Sequence, residues 1–314
     1  MSSSETKRRN VRRRALIVGI DEYQDESIRL SGCVNDANDI AETLKILEFP
    51  PSRIKMLLNE KATTKGILKG LDWLVKDAQA GDVLVFYDSS HGTQKIDLSD
   101  DEKDHLDEAL VPVDYSFEDE RLITDDQLFE AFTKKCPPGV RCDVLLDCCF
   151  SGSATRSLSK TVGEYQPTEA AKYRKQRYLP PPVDQQFRIN STVPIFTEKT
   201  GLRHSIISGD TKEIQQVTQN NCLWSGCAEY QVSYETVQGS DVRGVFTYYL
   251  CKILRASNGN ITRGQAYSIL RSTVANEGFE QTPWLEVPNY DALDMFPFRR
   301  ERDVDKESEI IKKK

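Results

Sequence analysis

The stretch VLLDCCFSGSA, residues 144–154, decides how this chain folds. An apolar run leads into Asp147 and two adjacent cysteines, and Ser151, Gly152 and Ser153 then break the run. Apolar runs that end on small polar residues are typical of buried strands in a parallel sheet. The pattern therefore predicts a buried strand that ends on a thiol.

A second stretch, GDVLVFYDSSHG at residues 81–92, has the same construction and ends on His91 and Gly92. Two parallel strands lying side by side would bring His91 and a cysteine to one edge of the sheet. In open α/β sheets the carboxyl ends of the strands are where ligands bind. A cysteine beside a histidine is the arrangement of a thiol nucleophile with its general base.

The other apolar patterns alternate between strands and helices, which indicates a doubly wound parallel sheet. A helix is also predicted to begin within 122–127, and order is predicted to return at 205–210. The predicted strands cover 15–20, 53–59, 83–87, 110–115, 143–148, 221–227 and 283–287, and the predicted helices cover 33–47, 62–78, 244–256 and 262–275.

Composition excludes several classes of protein. The chain has 314 residues, of which 38% are hydrophobic, enough for one domain with a sizeable core. Its 42 basic and 49 acidic residues give a net charge of -7, which argues against a non-specific nucleic-acid binder. The eight cysteines form no C-x-x-C pair, and no apolar stretch approaches the length of a membrane span. We therefore expect a cytoplasmic protein with free thiols, no membrane partner and no organic cofactor.

The domain organisation follows from charge and periodicity. The helical and strand periodicity disappears in a polar segment that we interpret as a mobile linker or insertion, and such segments are preferred sites of proteolysis. Its basic residues include Lys160, Lys172, Arg174, Lys175, Arg177, Arg188 and Lys199. The predicted parts are a disordered basic tail (1–14), one domain (15–298) and a charged tail (299–314). The domain consists of a first part (15–155) that carries His91 and Cys149, the linker (156–203) and a second part (204–298).

Acidic residues are dense in DLSDDEKDHLDE, residues 97–108, close to His91. One interpretation is a solvated loop. The other is a site for a hard cation, because clustered carboxylates repel one another unless a positive charge lies between them. Asp125 and Asp126 have the same ambiguity, since acids in the first turn of a helix also stabilise the helix.

Seven blocks of the chain match a known family in order and at similar spacing. From residue 13 to 297 the chain resembles the metacaspases and bacterial caspase-like cysteine peptidases of the caspase/gingipain clan. The resemblance implies an α/β fold, a caspase-like three-layer sandwich in which helices cover both faces of a mostly parallel six-stranded sheet. The blocks are ALIVGI (15–20), GCVNDA (32–37), SSHGTQ (89–94), DEALVPVDY (107–115), ITDDQLF (123–129), DCCFSG (147–152) and SGCAEYQVSYE (225–235).

This resemblance implies a role for each matching residue. His91 falls on the general base and Cys149 on the nucleophile, 58 positions apart, where caspases have about 50. The backbone N–H groups of Gly92 and Cys149 would form the oxyanion hole. The implied substrate-binding residues are Asp36, Ser89, Asp147, Glu229 and Glu235, and the implied calcium ligands are Asp107, Asp125 and Asp126.

The expected function is a cysteine endopeptidase that cleaves after Arg, or less well after Lys, because carboxylates at Asp36 and Asp147 suit a cationic side chain. We expect a monomeric precursor (zymogen) that acts on proteins or peptides, binds no nucleic acid, and is activated by self-cleavage, by another protease or by calcium. Ser90 and Phe150 replace the usual Gly and His, which keeps a non-catalytic scaffold or regulator open as the alternative.

Three structural interpretations of the site residues also stay open. Asp36, like Asn35, is placed to cap a helix. Asp147 could simply accept hydrogen bonds at a strand end. Cys149 could be a small buried thiol, as Cys148 is expected to be.

Overall fold

The computed structural model describes residues 11–96, 106–116, 121–150, 174–183, 220–228 and 231–298. The strands are β1 (Arg13–Gly19), β2 (Ile54–Leu58), β3 (Val83–Ser89), β4 (His91–Ile96), β5 (Leu106–Val111), β6 (Ile123–Thr124), β7 (Arg141–Leu146), β8 (Lys175–Gln176), β9 (Asn220–Ser225), β10 (Tyr234–Gln238), β11 (Asp241–Gly244) and β12 (Trp284–Glu286). The α-helices are α1 (Cys33–Ile46), α2 (Thr64–Val75), α3 (Asp125–Phe129), α4 (Val245–Ala256), α5 (Arg263–Asn276) and α6 (Asp291–Asp294).

The central sheet has six strands in the order β12-β9-β7-β3-β1-β2. All neighbours pair in parallel except β12, which runs antiparallel to β9. Successive residues of a strand point to opposite faces. Leu16 and Val18 therefore pack in the same hydrophobic cluster as residues of α2, whereas Ala15 and Ile17 pack in the cluster that contains residues of α1, α4 and α5. The predicted three-layer α/β sandwich is confirmed.

Two small sheets lie beside the central one and position the site. One has the order β4-β5-β6, and its main contact is the antiparallel pair β4 and β5. The other has the order β11-β10-β8, in which Lys175 and Gln176 of β8 pair with Glu235 and Tyr234 of β10. Neither sheet was predicted from the sequence.

Several predicted boundaries were wrong. The strand predicted at 110–115 ends at Val111, because Pro112 has no N–H to donate to a neighbouring strand, and it begins earlier, at Leu106. The first strand begins at Arg13, inside the tail predicted to be disordered, because Arg13 and Arg14 continue the pairing with β3. The ordered run predicted at 205–210 and most of both tails lie outside the described residues.

None of the helices in the described part of the chain combines the length and apolar character needed to cross a bilayer.

Candidate active site

The ends of β3 and β7 bring His91 and Cys149 to the same edge of the sheet. The two strands pair in parallel up to Asp88 and Leu146, and the N–H of Asp147 donates to the carbonyl of Asp88 at 2.8 Å. His91 and Cys149 follow three positions after Asp88 and Leu146, just beyond the ends of β3 and β7. Both side chains are buried, with 3% of His91 and 0% of Cys149 exposed.

Gly92 allows the two strand ends to approach closely. A Cβ atom built on Gly92 would overlap the carbonyl of Cys149, so any side chain there would push the backbones apart. This contact fixes the N–H of Gly92 beside the N–H of Cys149. The two groups predicted to form the oxyanion hole therefore lie together.

A carbonyl from the same chain already lies against these two N–H groups. The carbonyl oxygen of Arg177 accepts from Gly92 at 3.1 Å and from Cys149 at 3.1 Å. Two backbone donors that converge on one carbonyl oxygen are the arrangement that stabilises an oxyanion during acyl transfer. The peptide bond between Arg177 and Tyr178 thus lies against the two N–H groups predicted to form the oxyanion hole.

The side chain of Arg177 fills a fully buried pocket of carboxylates. Its Nη2 lies 2.5 Å from Asp36 and 3.7 Å from Glu235, and its Nη1 lies 2.9 Å from a carboxylate oxygen of Asp147. Nη1 also donates to the backbone carbonyl of Asp147 at 3.2 Å. Because the two nitrogens face different carboxylates, the pocket matches the fork of a guanidinium.

Asp36 does not cap its helix, contrary to one of the interpretations above. It lies in the first turn of α1, and the free N–H groups of Cys33 and Val34 donate to the carboxylate of Asp21 at 2.8 and 3.1 Å. Asp36 instead accepts from the N–H of Gly244 at 2.9 Å. The carboxylate is therefore held by backbone and points into the pocket.

Ser89, also predicted to bind substrate, supports Asp36 rather than Arg177. Its hydroxyl donates to the Asp36 carboxylate at 3.3 Å. The pKa of Asp36 is raised to about 7 by burial, with Arg177 acting in the opposite direction and the nearby Asp147 acting in the same direction as burial. A cation in the pocket is thus what favours the ionised carboxylate.

Asp147 and Glu235 are held just as firmly. Asp147 accepts from the hydroxyls of Ser233 at 2.5 Å and Thr247 at 2.6 Å. Glu235 accepts the N–H groups at the start of α1, including that of Gly32 at 2.9 Å. These bonds satisfy the carboxylates without neutralising them.

The negative charge in this pocket is partly compensated by one cation. Three carboxylates surround one guanidinium, and all four side chains are 0% exposed. Burial by itself lowers the pKa of Arg177, but the surrounding acids, Asp147 most strongly, raise it well above its usual value. An uncompensated buried charge is strongly destabilising, so the Arg177 guanidinium stabilises these three carboxylates.

The protonation state of His91 follows from its contacts. Nε2 lies 2.7 Å from the carbonyl oxygen of Ile28, which can only accept, so Nε2 carries the proton. Nδ1 then presents a lone pair, and it has no hydrogen-bond partner among the described residues. Burial lowers the pKa of His91 to about 4, and the positive charges of Lys175 and Arg177 lower it too. His91 is therefore neutral and able to accept a proton at physiological pH.

Cys149 is a protonated thiol in this arrangement. Burial raises its pKa well above the usual value, the neighbouring Cys227 thiol at 3.7 Å adds to the shift, and the N–H that Ser233 donates to its sulfur opposes it. A base must therefore remove the proton as the thiol attacks. The adjacent Cys148 packs in the hydrophobic cluster on the other side of the sheet, away from this site.

The three acids predicted to bind calcium lie on β5 and in the first turn of α3. Asp125 is buried at the start of α3, Asp126 is exposed on the same helix, and Asp107 lies on β5 opposite Lys95. The described residues contain one group of three potential metal ligands, Asp21, Cys33 and Glu235. Both carboxylates of this group already accept backbone N–H groups. Residues 97–105 and Glu229 lie outside the described residues, so the calcium prediction and the assignment of Glu229 stay predictions.

Sequence reasoning missed several residues of the site. Arg177 was named only as one of several basic residues of the linker. Gly244 gave no signal, yet a Cβ there would overlap Asp147 and meet Arg177 at 2.5 Å. Ser233 was quoted within a matching block but was given no role, although it contacts both Asp147 and Cys149.

Comparison with known proteins identifies the relatives of this chain. Residues 13–157 match the metacaspase peptidase C14 domain. The chain is 29% identical to Metacaspase-1A of Aspergillus fumigatus over 289 residues, which covers 87% of this chain and 68% of that protein. It is 30% identical to Metacaspase-2 of Arabidopsis thaliana over 271 residues, which covers 83% of this chain and 56% of that protein.

Solved structures show the same fold. A crystal structure of a protein from Geobacter sulfurreducens matches with a TM-score of 0.62 and 22% identity, and covers 91% of this chain and 98% of that one. Caspase-1 from Spodoptera frugiperda matches with a TM-score of 0.51 and 16% identity, and covers 88% of this chain and 86% of that one. These likenesses establish the caspase-like architecture.

Proposed function

Because the chain is similar to metacaspases, we propose that it is a cysteine endopeptidase that cleaves after arginine and makes its first cut in its own chain, between Arg177 and Tyr178. One observation carries the proposal. The Arg177 side chain fills the carboxylate pocket while its carbonyl oxygen accepts the N–H groups of Gly92 and Cys149. A segment bound in this way has the position of a substrate.

The proposed chemistry uses Cys149 and His91 as a pair. The Nδ1 lone pair of His91 accepts the thiol proton as the sulfur of Cys149 attacks the carbonyl carbon of Arg177. The negative charge that develops on the carbonyl oxygen is stabilised by the N–H groups of Gly92 and Cys149, and one such donor is typically worth about 10²- to 10³-fold in rate. His91 then gives its proton to the departing amine of Tyr178, and water hydrolyses the thioester.

The pocket supports a preference for Arg over Lys and excludes Asp. The two terminal nitrogens of Arg177 contact Asp147 and Asp36 separately. An ammonium is a single point charge and cannot make both contacts in the same geometry. An aspartate would add a fourth carboxylate to the three already buried there.

The uncut chain is a precursor under this proposal. Residues 174–183 run through the site: β8 pairs with β10, Arg177 fills the pocket, and the N–H of Leu179 donates to Gly92 at 2.9 Å. Another substrate can bind only when this segment has left. Cleavage after Arg177 would break the covalent connection that holds the segment in place.

Intact-mass and terminal-sequence analysis of the purified protein tests the proposal. We expect a new C-terminus at Arg177 and a new N-terminus at Tyr178, no cut in the Cys149→Ala protein, and no cut at this bond in Arg177→Gln. Lys175→Gln, a matched change two residues away, should still be cut after Arg177. A protein that cleaves peptides with Arg at the cleavage position while its own chain stays intact would refute the self-cleavage, and faster cleavage after Asp than after Arg would refute the specificity.

A further inference from the structure

The substrate-like segment contacts the protein well beyond Arg177. Counted from the bond after Arg177, the preceding residues are −1 (Arg177), −2 (Gln176), −3 (Lys175) and −4 (Arg174), and Leu179 is +2. The Arg177 N–H donates to the carbonyl of Ser233 at 3.1 Å, and Lys175 and Gln176 pair with β10. This backbone pairing fixes the register, so each side chain meets a defined surface.

Position −4 lies against two aromatic rings. The guanidinium carbon of Arg174 lies 5.4 Å from the ring centre of Phe279 and 6.0 Å from that of Tyr234. Both distances are within the range of cation–π attraction, which holds for any cation and is strongest for guanidinium groups that can stack. The Tyr234 and Phe279 side chains are themselves almost completely buried, so the rings are fixed by their own packing.

Position +2 lies in an apolar site. Leu179 is 4% exposed and packs in the hydrophobic cluster that contains Val111 and Cys148. Its N–H donates to the carbonyl of Gly92 at 2.9 Å, which orients the side chain into that cluster. Burial of a leucine side chain gains free energy that a smaller residue would not gain.

Position −2 differs from positions −4 and +2 in the surroundings of its side chain. The Gln176 side chain is exposed; it makes a hydrogen bond with the Tyr234 side chain, and its backbone pairs with the same residue. A residue whose side chain faces solvent adds little selectivity.

We propose that the enzyme recognises an extended motif in its substrates: a basic residue at −4, read by Tyr234 and Phe279, arginine at −1, and a leucine-sized apolar residue at +2. The proposal rests on the proposed function and specifies its substrate class. It predicts that other protein substrates share the pattern of Arg174, Arg177 and Leu179 in this chain.

Internally quenched peptides containing RKQRYLPP test the motif on the active, self-cleaved enzyme. Replacing Arg by Ala at −4 should lower kcat/KM about 2- to 5-fold, as expected for an exposed cation–π contact. Replacing Leu by Ala at +2 should lower it about 10-fold, because a buried leucine loses most of its contacts. Replacing Gln by Ala at −2, the matched control, should change it by less than about 2-fold, as for exposed side chains in general.

Enzyme variants identify the residues that read position −4. In Phe279→Leu the ratio of kcat/KM for the peptides with Arg and Ala at −4 should fall toward one, because the nearer of the two rings is lost while the site stays apolar. Tyr290→Leu, a matched change of an exposed aromatic residue on α6's N-terminal side, should keep the ratio of the unmodified enzyme.

The outcomes separate this inference from the proposed function. If the parent peptide is not cut after its second arginine, the proposed function fails. If all the peptides with Arg at −1 are cut at equal rates by the unmodified enzyme, arginine specificity stands and the extended motif is wrong. The peptide series does not depend on whether any enzyme variant folds.

Discussion

The ion pairs of Arg177 determine how firmly residues 174–183 occupy the site, and Arg177→Gln measures them. The change is made in a Cys149→Ala background so that the chain stays uncut. It removes the cation but leaves Asp36, Asp147 and Glu235 buried and close together. The segment should then open far more often.

The magnitude follows from the burial of the pair. Removing one partner of a buried ion pair costs about 3–5 kcal/mol, which corresponds to a roughly 150- to 5000-fold larger opening constant. We expect the lower end of this range, because burial raises the pKa of Asp36 to about 7, and the carboxylate can take up a proton once Arg177 is gone. A proton on Asp36 reduces the repulsion within the pocket.

Hydrogen–deuterium exchange of backbone amides is the assay. The N–H groups of Gly92, Cys149 and Leu179 are all hydrogen-bonded only while the segment is in place. Their exchange should accelerate together in Arg177→Gln. Arg174→Gln is the control: it loses only the exposed contact with the aromatic rings, and exchange should accelerate about 2- to 5-fold.

Equal exchange rates in the Arg177→Gln and Arg174→Gln proteins would refute the reasoning. Such a result would mean that backbone pairing between β8 and β10, and not the charge in the pocket, holds the segment.

Four other predictions follow from the site. Cys149→Ala should abolish turnover of an Arg peptide while Cys148→Ala keeps most of it, because Cys148 faces the opposite side of the sheet; equal losses in kcat/KM would contradict this assignment. NMR titration of the uncut Cys149→Ala protein should give His91 a pKa near 4, below the ordinary value of about 6.5. Docking of residues 174–183 should therefore be fully stable above pH about 6.5 and should weaken as the pH falls toward 4. An unshifted His91 would show that the ring is not buried by the segment. Gly92→Ala should lower kcat by about 10²-fold or more and also lower the Tm, because the added Cβ overlaps the Cys149 backbone and displaces one N–H of the predicted oxyanion hole; near-normal turnover would exclude that role. Activity should rise between excess chelator and millimolar calcium if Asp107, Asp125 and Asp126 bind the ion, and identical rates would leave these acids as ordinary surface and capping residues.

The sequence predicts the central sheet because its strands carry continuous apolar runs. ALIVGI and VLLDCC are buried on both faces, which is the strongest local signal that a parallel strand gives. Parallel strands share one carboxyl edge, so the convergence of His91 and Cys149 could be derived before any coordinates. The roles of Asp36 and Glu235 depended instead on the family resemblance, because a single carboxylate gives no local signal.

The small sheets were missed because their strands are short and pair over long distances. The two residues of β8 pair with residues of β10 that lie 58 and 60 positions later, and no local pattern specifies such a contact. The same reason hides Arg177 among the other basic residues of its segment. Its position is set by tertiary contacts with four separate parts of the chain, at Asp36, Gly92, Asp147 and Glu235.

The occupant of the site in the uncut chain is covalently attached, so its occupancy does not depend on protein concentration and dilution cannot empty the site. A competing peptide or inhibitor meets only the open fraction of molecules, and its apparent Kd is raised by the inverse of that fraction. An opening free energy of about 3 kcal/mol leaves roughly one molecule in 160 open, so a compound that binds the empty site at 1 μM would show an apparent Kd of about 160 μM. Ligand discovery against this protein should therefore use chains cut after Arg177, or Arg177→Gln, because screens on the intact precursor report the strength of the tethered segment more than that of the compound.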